Sequence, residues 1–397
     1  MANIGERTNP IDPTVFDGIA EHDDPRLLWI IADIGQFVFR GEPFDRLLVA
    51  ANSISGGDYT QRTLWKGLSD QLIADDTPAP PGYVAWKQQL LTAVDVSWIH
   101  PFNDDQAEID WRLVTFGGVL ADTRPFGSDE TCSCIPALDN PPWVPAADGD
   151  WYPDHRVVFG LEINGEARAY PLNIMEAHEL VNDTLGDRQI SLTYCTLCRS
   201  ATAFFVDELP ADITPPVLRT SGLLRRSNKL ILDRETNSLI DQFSGTAISG
   251  PQREAGLALE RITVVTSTWE SWRTAHPGTT LMAGKSGNGP NYPLNPLEDR
   301  DAGGPIFPIG DVDDTLLASE RVLGTLALGE PIAFVVADAR EALRDGDTVE
   351  FAGARAVLDG SGVRLVDAEG NDLASTQANW FAWSHRFPTT RLWQEGE

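Results

Sequence analysis

Phe159-Gly160-Leu161-Glu162-Ile163-Asn164-Gly165-Glu166-Ala167-Arg168-Ala169-Tyr170 is matched, at a constant offset of 164 residues, by Leu323-Gly324-Thr325-Leu326-Ala327-Leu328-Gly329-Glu330-Pro331-Ile332-Ala333-Phe334. Each stretch reads as strand, Gly-Glu turn and strand, followed by a short helical run, Asn173 to Leu180 in one and Asp338 to Leu343 in the other. Self-similarity at a fixed offset is how a duplicated unit is written in sequence. The alternative, two unrelated hairpins sharing a common turn, stays open at this point. Only the first copy is followed by residues with evident chemistry.

Upstream of the first hairpin the pattern is helical. Leu27, Leu28, Ile31 and Ile34, then Leu47, Leu48 and Ala51, then Leu64, Leu68 and Leu72, then Trp86, Leu90, Leu91 and Val94 recur at helical spacing. Gly56-Gly57 and Pro78-Ala79-Pro80-Pro81-Gly82 break the run. After Pro101 short β-like stretches take over, such as Val157 to Ile163 and Ile190 to Tyr194. The expected fold class is α+β: an all-helical N-terminal segment, with α-solenoid stacking as one arrangement open to it, then a mainly antiparallel β domain with a duplicated β-hairpin/helix unit. The expected divisions are a helical domain over residues 1–100, a β-rich domain over 101–320 and a second copy of the β unit over 321–397.

The 397 residues carry 59 acidic and 30 basic side chains, a formal net charge of −29. Counterion release on a phosphate backbone needs clustered Lys and Arg, and the densest basic stretch, Leu224-Arg225-Arg226-Ser227-Asn228-Lys229, is short and set among apolar residues. A nucleic-acid partner is therefore not expected. No run reaches the roughly 20 apolar residues of a membrane span, since Leu27 to Phe39 is interrupted by Asp33. The N-terminus, Met1-Ala2-Asn3-Ile4-Gly5-Glu6, has neither a basic n-region nor an apolar h-region. A cytoplasmic location and no membrane partner are the expectation, and oligomeric state is left open.

Four cysteines are too few for a disulfide scaffold. Cys195-Thr196-Leu197-Cys198 lies between two apolar strands, at a tight turn where two sulfurs can share one metal ion or form a reducible disulfide. Seventeen residues upstream of Cys195, His178-Glu179 ends the expected helix. Consecutive helical residues cannot both face one way, so at most one of the two shares a site with the sulfurs. Arg199 beside Cys198 would favour its thiolate. Cys132-Ser133-Cys134 could supply two further sulfurs for a four-sulfur zinc or iron site, although neither pair has zinc-ribbon spacing. No Walker loop, strand-linked G-x-G-x-x-G, G-x-S-x-G elbow or H-E-x-x-H is present. Nucleotide hydrolysis, dinucleotide-dependent hydride transfer, serine-hydrolase and zinc-protease chemistry are disfavoured accordingly.

Several stretches together resemble a prokaryotic family called domain of unknown function 3179. They are Ile135-Pro136-Ala137-Leu138-Asp139-Asn140-Pro141, Glu162 to Leu172, His178-Glu179-Leu180-Val181-Asn182-Asp183-Thr184 and Thr193-Tyr194-Cys195-Thr196-Leu197-Cys198. Ser221-Gly222-Leu223-Leu224, Asp233-Arg234-Glu235-Thr236, Gly250-Pro251, Trp380-Phe381-Ala382-Trp383, and Pro81-Gly82-Tyr83 with Phe116-Gly117-Gly118-Val119 extend the resemblance over nearly the whole chain. The resemblance implies that some relatives carry selenocysteine in the region matching Cys195 to Cys198, which favours redox chemistry or soft-metal ligation there. The chain departs from the family pattern at Arg199, where a small residue is usual, and between Leu120 and Cys134, which is lengthened, so the Cys132/Cys134 pair reads as private to this protein.

The expected function is that of a thiol- or metal-dependent oxidoreductase built on Cys195, Cys198, His178 and Glu179. In the thiol form one Cys attacks, the other resolves, and His178 shuttles the proton. In the metal form Cys195, Cys198 and His178 hold one copper or zinc ion, with iron less favoured. The partner is a small-molecule substrate or a thiol redox partner. Two rivals are a non-catalytic soft-metal binding protein and an interaction protein with a structural Cys site.

Overall fold

A computed structural model describes residues 14–284, 292–298, 300 and 304–394. The front of the chain is helical: Thr14–His22, Leu28–Gly35, Glu42–Ser55, Leu64–Ala74, Tyr83–Thr92 and Ile99–Phe102. Gly56, at φ 66°, ends the third of these, because a residue without Cβ adopts the left-handed turn at little cost. The apolar spacing buries Phe16, Trp29, Ile31, Leu47, Leu64, Leu68, Leu72 and Tyr83 in one shared core. Helices that close around a common core are not an α-solenoid, in which each repeat touches only its neighbours. Asp33, which interrupts the apolar run, is buried and held by Lys87 Nζ at 3.0 Å and by the Tyr83 hydroxyl at 2.6 Å. No helix among the described residues is long and apolar enough to cross a membrane.

The rest of the chain corrects the expected α+β architecture. It forms five separate sheets, the blades of a five-bladed β-propeller, behind the N-terminal helices. In spatial order the first sheet is Val114–Phe116, Leu218–Arg225, Asn228–Asp233, Leu239–Asp241 and Ala247–Ser249. The second is Arg261–Ile262, Ser200–Phe205, Arg188–Cys195, Leu180–Leu185 and Leu138–Asp139. The third is Val265–Thr268, Val157–Ile163, Glu166–Pro171, Thr280–Met282 and Trp143–Pro145. Ser375–Asn379, Arg321–Thr325, Ile332–Val335 and Arg391–Trp393 make the fourth, and Val349–Phe351, Ala354–Asp359, Gly362–Val366 and Asp372–Leu373 the fifth.

The two hairpins that match in sequence account for two of these five sheets and not for the architecture. Their registers correspond, Phe159 opposite Tyr170 and Leu323 opposite Phe334. The sheets are completed by strands far downstream. Val265–Thr268 pairs antiparallel with the first hairpin and Ser375–Asn379 with the second, while Thr280–Met282 and Arg391–Trp393 join in parallel. Each late strand pair flanks a helix, Trp269–Ala275 or Trp380–Arg386, whose indole lies where a Cβ on Gly160 or Gly324 would project: Trp272 against Gly160, Trp383 against Gly324. Trp272 Nε1 donates to Thr279 Oγ1 at 3.0 Å and Trp383 Nε1 to Thr390 Oγ1 at 2.9 Å. Local periodicity reveals hairpins but carries no information on which distant strand closes each sheet, and that closure makes the fold.

Candidate functional site

Arg188–Cys195 and Ser200–Phe205 form a hairpin whose last pair is Cys195 opposite Ser200, so Thr196, Leu197, Cys198 and Arg199 are its turn. Arg199 sits at φ 48°, and Ser227, in the facing turn between Leu218–Arg225 and Asn228–Asp233, sits at φ 65°. The two turns meet, one from each of the first two sheets. Cys195 and Cys198 are free thiols, both buried. Their sulfurs are 2.9 Å apart, with Cys198 Sγ 3.3 Å from both the Ser227 carbonyl and Asn228 Oδ1. The Cys198 backbone N–H points to Cys195 Sγ at 3.4 Å.

Burial would raise the Cys195 thiol, but the hydrogen bonds from Cys198, with a smaller contribution from the charge of Lys229, hold Cys195 below the usual thiol value. Glu179 pushes the other way. Cys198 lies well above the usual value, through burial first and the neighbouring Cys195 second. One sulfur is thus poised to ionise and the other to keep its proton.

The charges that act on Cys195 are themselves buried. Lys229 Nζ forms an ion pair with Glu179 Oε2 and donates to the Glu179 carbonyl at 3.3 Å. The Thr196 hydroxyl donates to Glu179 Oε1 at 2.9 Å, and Arg300 Nη2 donates to Thr196 Oγ1 at 3.0 Å. Glu179 is positioned by the end of the helix Leu172–His178, where it caps the last turn at φ 57°. Lys229 and Thr196 are absent from the sequence-level site. Thr196 lies inside the C-x-x-C, whereas Lys229 reads only as the tail of a basic stretch until the hairpin turn brings it across.

His178 does not join the sulfurs. Its Nδ1 faces the Pro136 carbonyl at 2.6 Å and its Nε2 faces the Tyr292 hydroxyl at 2.6 Å. A carbonyl only accepts, so Nδ1 carries the proton and Nε2 accepts from the phenol. Burial lowers the imidazole pKa, against the hydrogen bond to Pro136. His178 lines a cavity of about 200 Å³ together with Arg124, Pro136, Leu138, Asp139 and Asn140. Residues 136–142 thus line the cavity.

The four sulfurs do not converge either. Cys132 and Cys134 are bonded to each other as a disulfide. Asp122, Cys132 and Cys134 each bring one ligand atom within 4.8 Å of the others, a group that could hold a metal ion. Asp122 is committed to Arg124, whose Nε and Nη2 meet its two oxygens at 2.8 Å each, and it accepts the Ala137 N–H at 2.9 Å. Two thiolates on one tetrahedral zinc, at about 2.3 Å each, stand about 3.8 Å apart, so the 2.9 Å between Cys195 and Cys198 is short for a shared ion.

Compared with known families, residues 132–369 match the family described as Protein of unknown function (DUF3179). The match leaves the N-terminal helices and Trp380 to Trp383 outside it. No curated protein and no solved structure matches the chain.

Proposed function

The chain belongs to the DUF3179 family, whose description assigns no chemistry, and from the site geometry we propose that it is a thiol-dependent oxidoreductase in which Cys195 and Cys198 cycle between dithiol and disulfide. The observation that carries this reading is the 2.9 Å between two free sulfurs whose acidities are driven apart. Cys195, as thiolate, attacks one sulfur of a disulfide RSSR and expels RS⁻. Cys198 passes its proton to that leaving group, and its sulfur displaces the second RS⁻ from Cys195. The products are the Cys195–Cys198 disulfide, one RSH and one RS⁻, and two electrons have passed to the substrate. Lys229 favours the Cys195 thiolate, whereas the expectation from sequence is that Arg199 favours that of Cys198. His178, turned to the cavity, has no part in this proton transfer.

With both sulfurs buried, the turn meets solvent at half-buried Leu197 and exposed Arg199, which suits a small substrate better than a folded protein. The test is native-state oxidation of the reduced protein by a small disulfide, followed by peptide mapping. A reversible Cys195–Cys198 linkage supports the reading, and persistence of both thiols contradicts it.

A second reading rests on the Asp122, Cys132 and Cys134 group. Reduced, it offers two thiolates and a carboxylate to a soft ion, zinc or copper before iron. Protein reduced and dialysed with zinc should then retain about one equivalent that Cys132→Ser removes. Unchanged retention in the variant excludes this group as the holder.

A further inference from the structure

Two guanidinium groups stand at the rim of the thiol turn with no acidic side chain paired to either among the described residues. Arg199 follows Cys198 directly and is exposed. Arg321, half-buried at the start of Arg321–Thr325, donates through Nη2 to the Arg199 carbonyl at 2.8 Å. With the Gln377 amide oriented to match, its oxygen accepts from Arg321 Nε at 3.3 Å and Nη2 at 3.2 Å. These acceptors are neutral. The nearest acid in sequence, Glu320, uses Oε1 to accept the backbone N–H of Arg321 at 3.3 Å. Burial draws the Arg321 guanidinium down to about 10, with Arg199 acting in the same direction.

Both guanidinium groups act electrostatically on the phenol of Tyr194, the residue before Cys195, as does Glu176 with opposite sign. The Arg321 guanidinium thus lies against the backbone of Arg199, at the end of the turn. A half-buried cation with only neutral acceptors among the described residues, beside a second cationic residue, is left with uncompensated desolvation and like-charge repulsion. An anion seated between the two would relieve both. The location is the more telling because the chain as a whole, at −29, repels anions.

We propose that Arg199 and Arg321 form an anion-docking pair at the mouth of the Cys195–Cys198 turn, which selects as electron acceptor a small disulfide that carries carboxylates. This rests on the thiol-redox reading and adds the substrate class to it. The exchange is the one written above, with R a carboxylate-bearing group whose charge the two arginines hold while its sulfur meets Cys195.

The test compares two disulfides on the full-length reduced protein: dithiobis-nitrobenzoate, with a carboxylate on each ring, and dithiodipyridine, with none. The quantity read is the ratio of their rates of Cys195–Cys198 oxidation, which cancels changes in thiolate reactivity. Added salt, which shortens the screening length from about 30 Å at 0.01 M to about 3 Å at 1 M, is expected to lower the ratio. Arg199→Gln is expected to lower it about tenfold, the loss of one charge-assisted contact, and Arg199→Gln/Arg321→Gln further. Arg199 is exposed, so the single variant suffices if the double variant folds poorly. A ratio that rises with salt and ignores Arg199→Gln overturns the docking pair, leaving bulk repulsion in control. If neither reagent links Cys195 to Cys198 in the unaltered protein, the thiol-redox reading itself fails, an outcome distinct from the first.

Discussion

His178 and Glu179 are consecutive residues that face different sites. His178 Nε2 meets the Tyr292 hydroxyl at 2.6 Å on the wall of the cavity, while Glu179 Oε1 accepts the Thr196 hydroxyl at 2.9 Å beside the thiols. The left-handed backbone at Glu179, φ 57°, turns the chain between them. One helix end thereby supplies a neutral base to the cavity and half of a buried ion pair to the sulfurs.

The two thiols are expected to be inequivalent. Cys198→Ser should trap a stable mixed disulfide at Cys195 when treated with a small disulfide, since nothing remains to resolve it. Cys195→Ser should form an adduct more slowly, because burial and the Glu179 charge, both of which remain, still favour the protonated form of Cys198. Intact-mass measurement on the two variants reads this directly. Equal labelling of both would remove the assignment of Cys195 as the attacking sulfur.

Lys229 and Glu179 act on Cys195 with opposite signs. The pH profile of Cys195 alkylation should therefore move up in Lys229→Met and down in Glu179→Gln. General structural damage would move both the same way. Lys229→Met also leaves a buried carboxylate uncompensated, which costs about 3–5 kcal/mol. Replacing both residues with Met should recover part of that loss in Tm.

Acid should weaken the fold through buried His178 and half-buried His385. Burial lowers His178, and it takes His385 to about 4, with Arg226 adding to the effect. On acidification the unfolded chain takes up these protons first, at about 6.5. The stability conferred by the two neutral imidazoles is therefore complete above that pH and lost as pH falls toward the folded value. The drop in Tm between about pH 7 and about pH 5, which avoids the ordinary carboxylate range, should be smaller in His178→Gln/His385→Gln than in the unaltered protein.

Gly160→Ala and Gly324→Ala should each lower stability by about 1–3 kcal/mol, the usual cost of overpacking. In both places the new methyl would occupy the space of a buried indole, Trp272 or Trp383. Thermal melts of the two variants should shift by similar amounts. A shift at one position alone would show that the two sheets do not share this packing.

Much of the local structure was legible in the sequence. Leu27 to Val94 marks the helices because helical spacing of apolar residues is a short-range signal, and Phe159 to Tyr170 marks a hairpin because strand, turn and strand are contiguous. The closure of five sheets was not legible, since Val265–Thr268 and Ser375–Asn379 give no sign of the hairpins they pair with. At the site the C-x-x-C was visible as a spacing, and so was the rule that only one of His178 and Glu179 could face the sulfurs. Which one it is depends on a left-handed φ at Glu179, and residue order does not encode that choice openly. Lys229 lies 31 residues beyond Cys198 and arrives by tertiary contact alone.

The most direct measurement is a thiol titration with peptide mapping on the full-length protein, purified without added metal or chelator and paired with elemental analysis. A reversible Cys195–Cys198 disulfide, formed natively by a small disulfide and with no metal retained through Cys195, is the expected result. About one equivalent of copper, zinc or iron that is lost in Cys195→Ser, with both thiols resistant to oxidation, would contradict the redox pair and make the turn a metal centre instead.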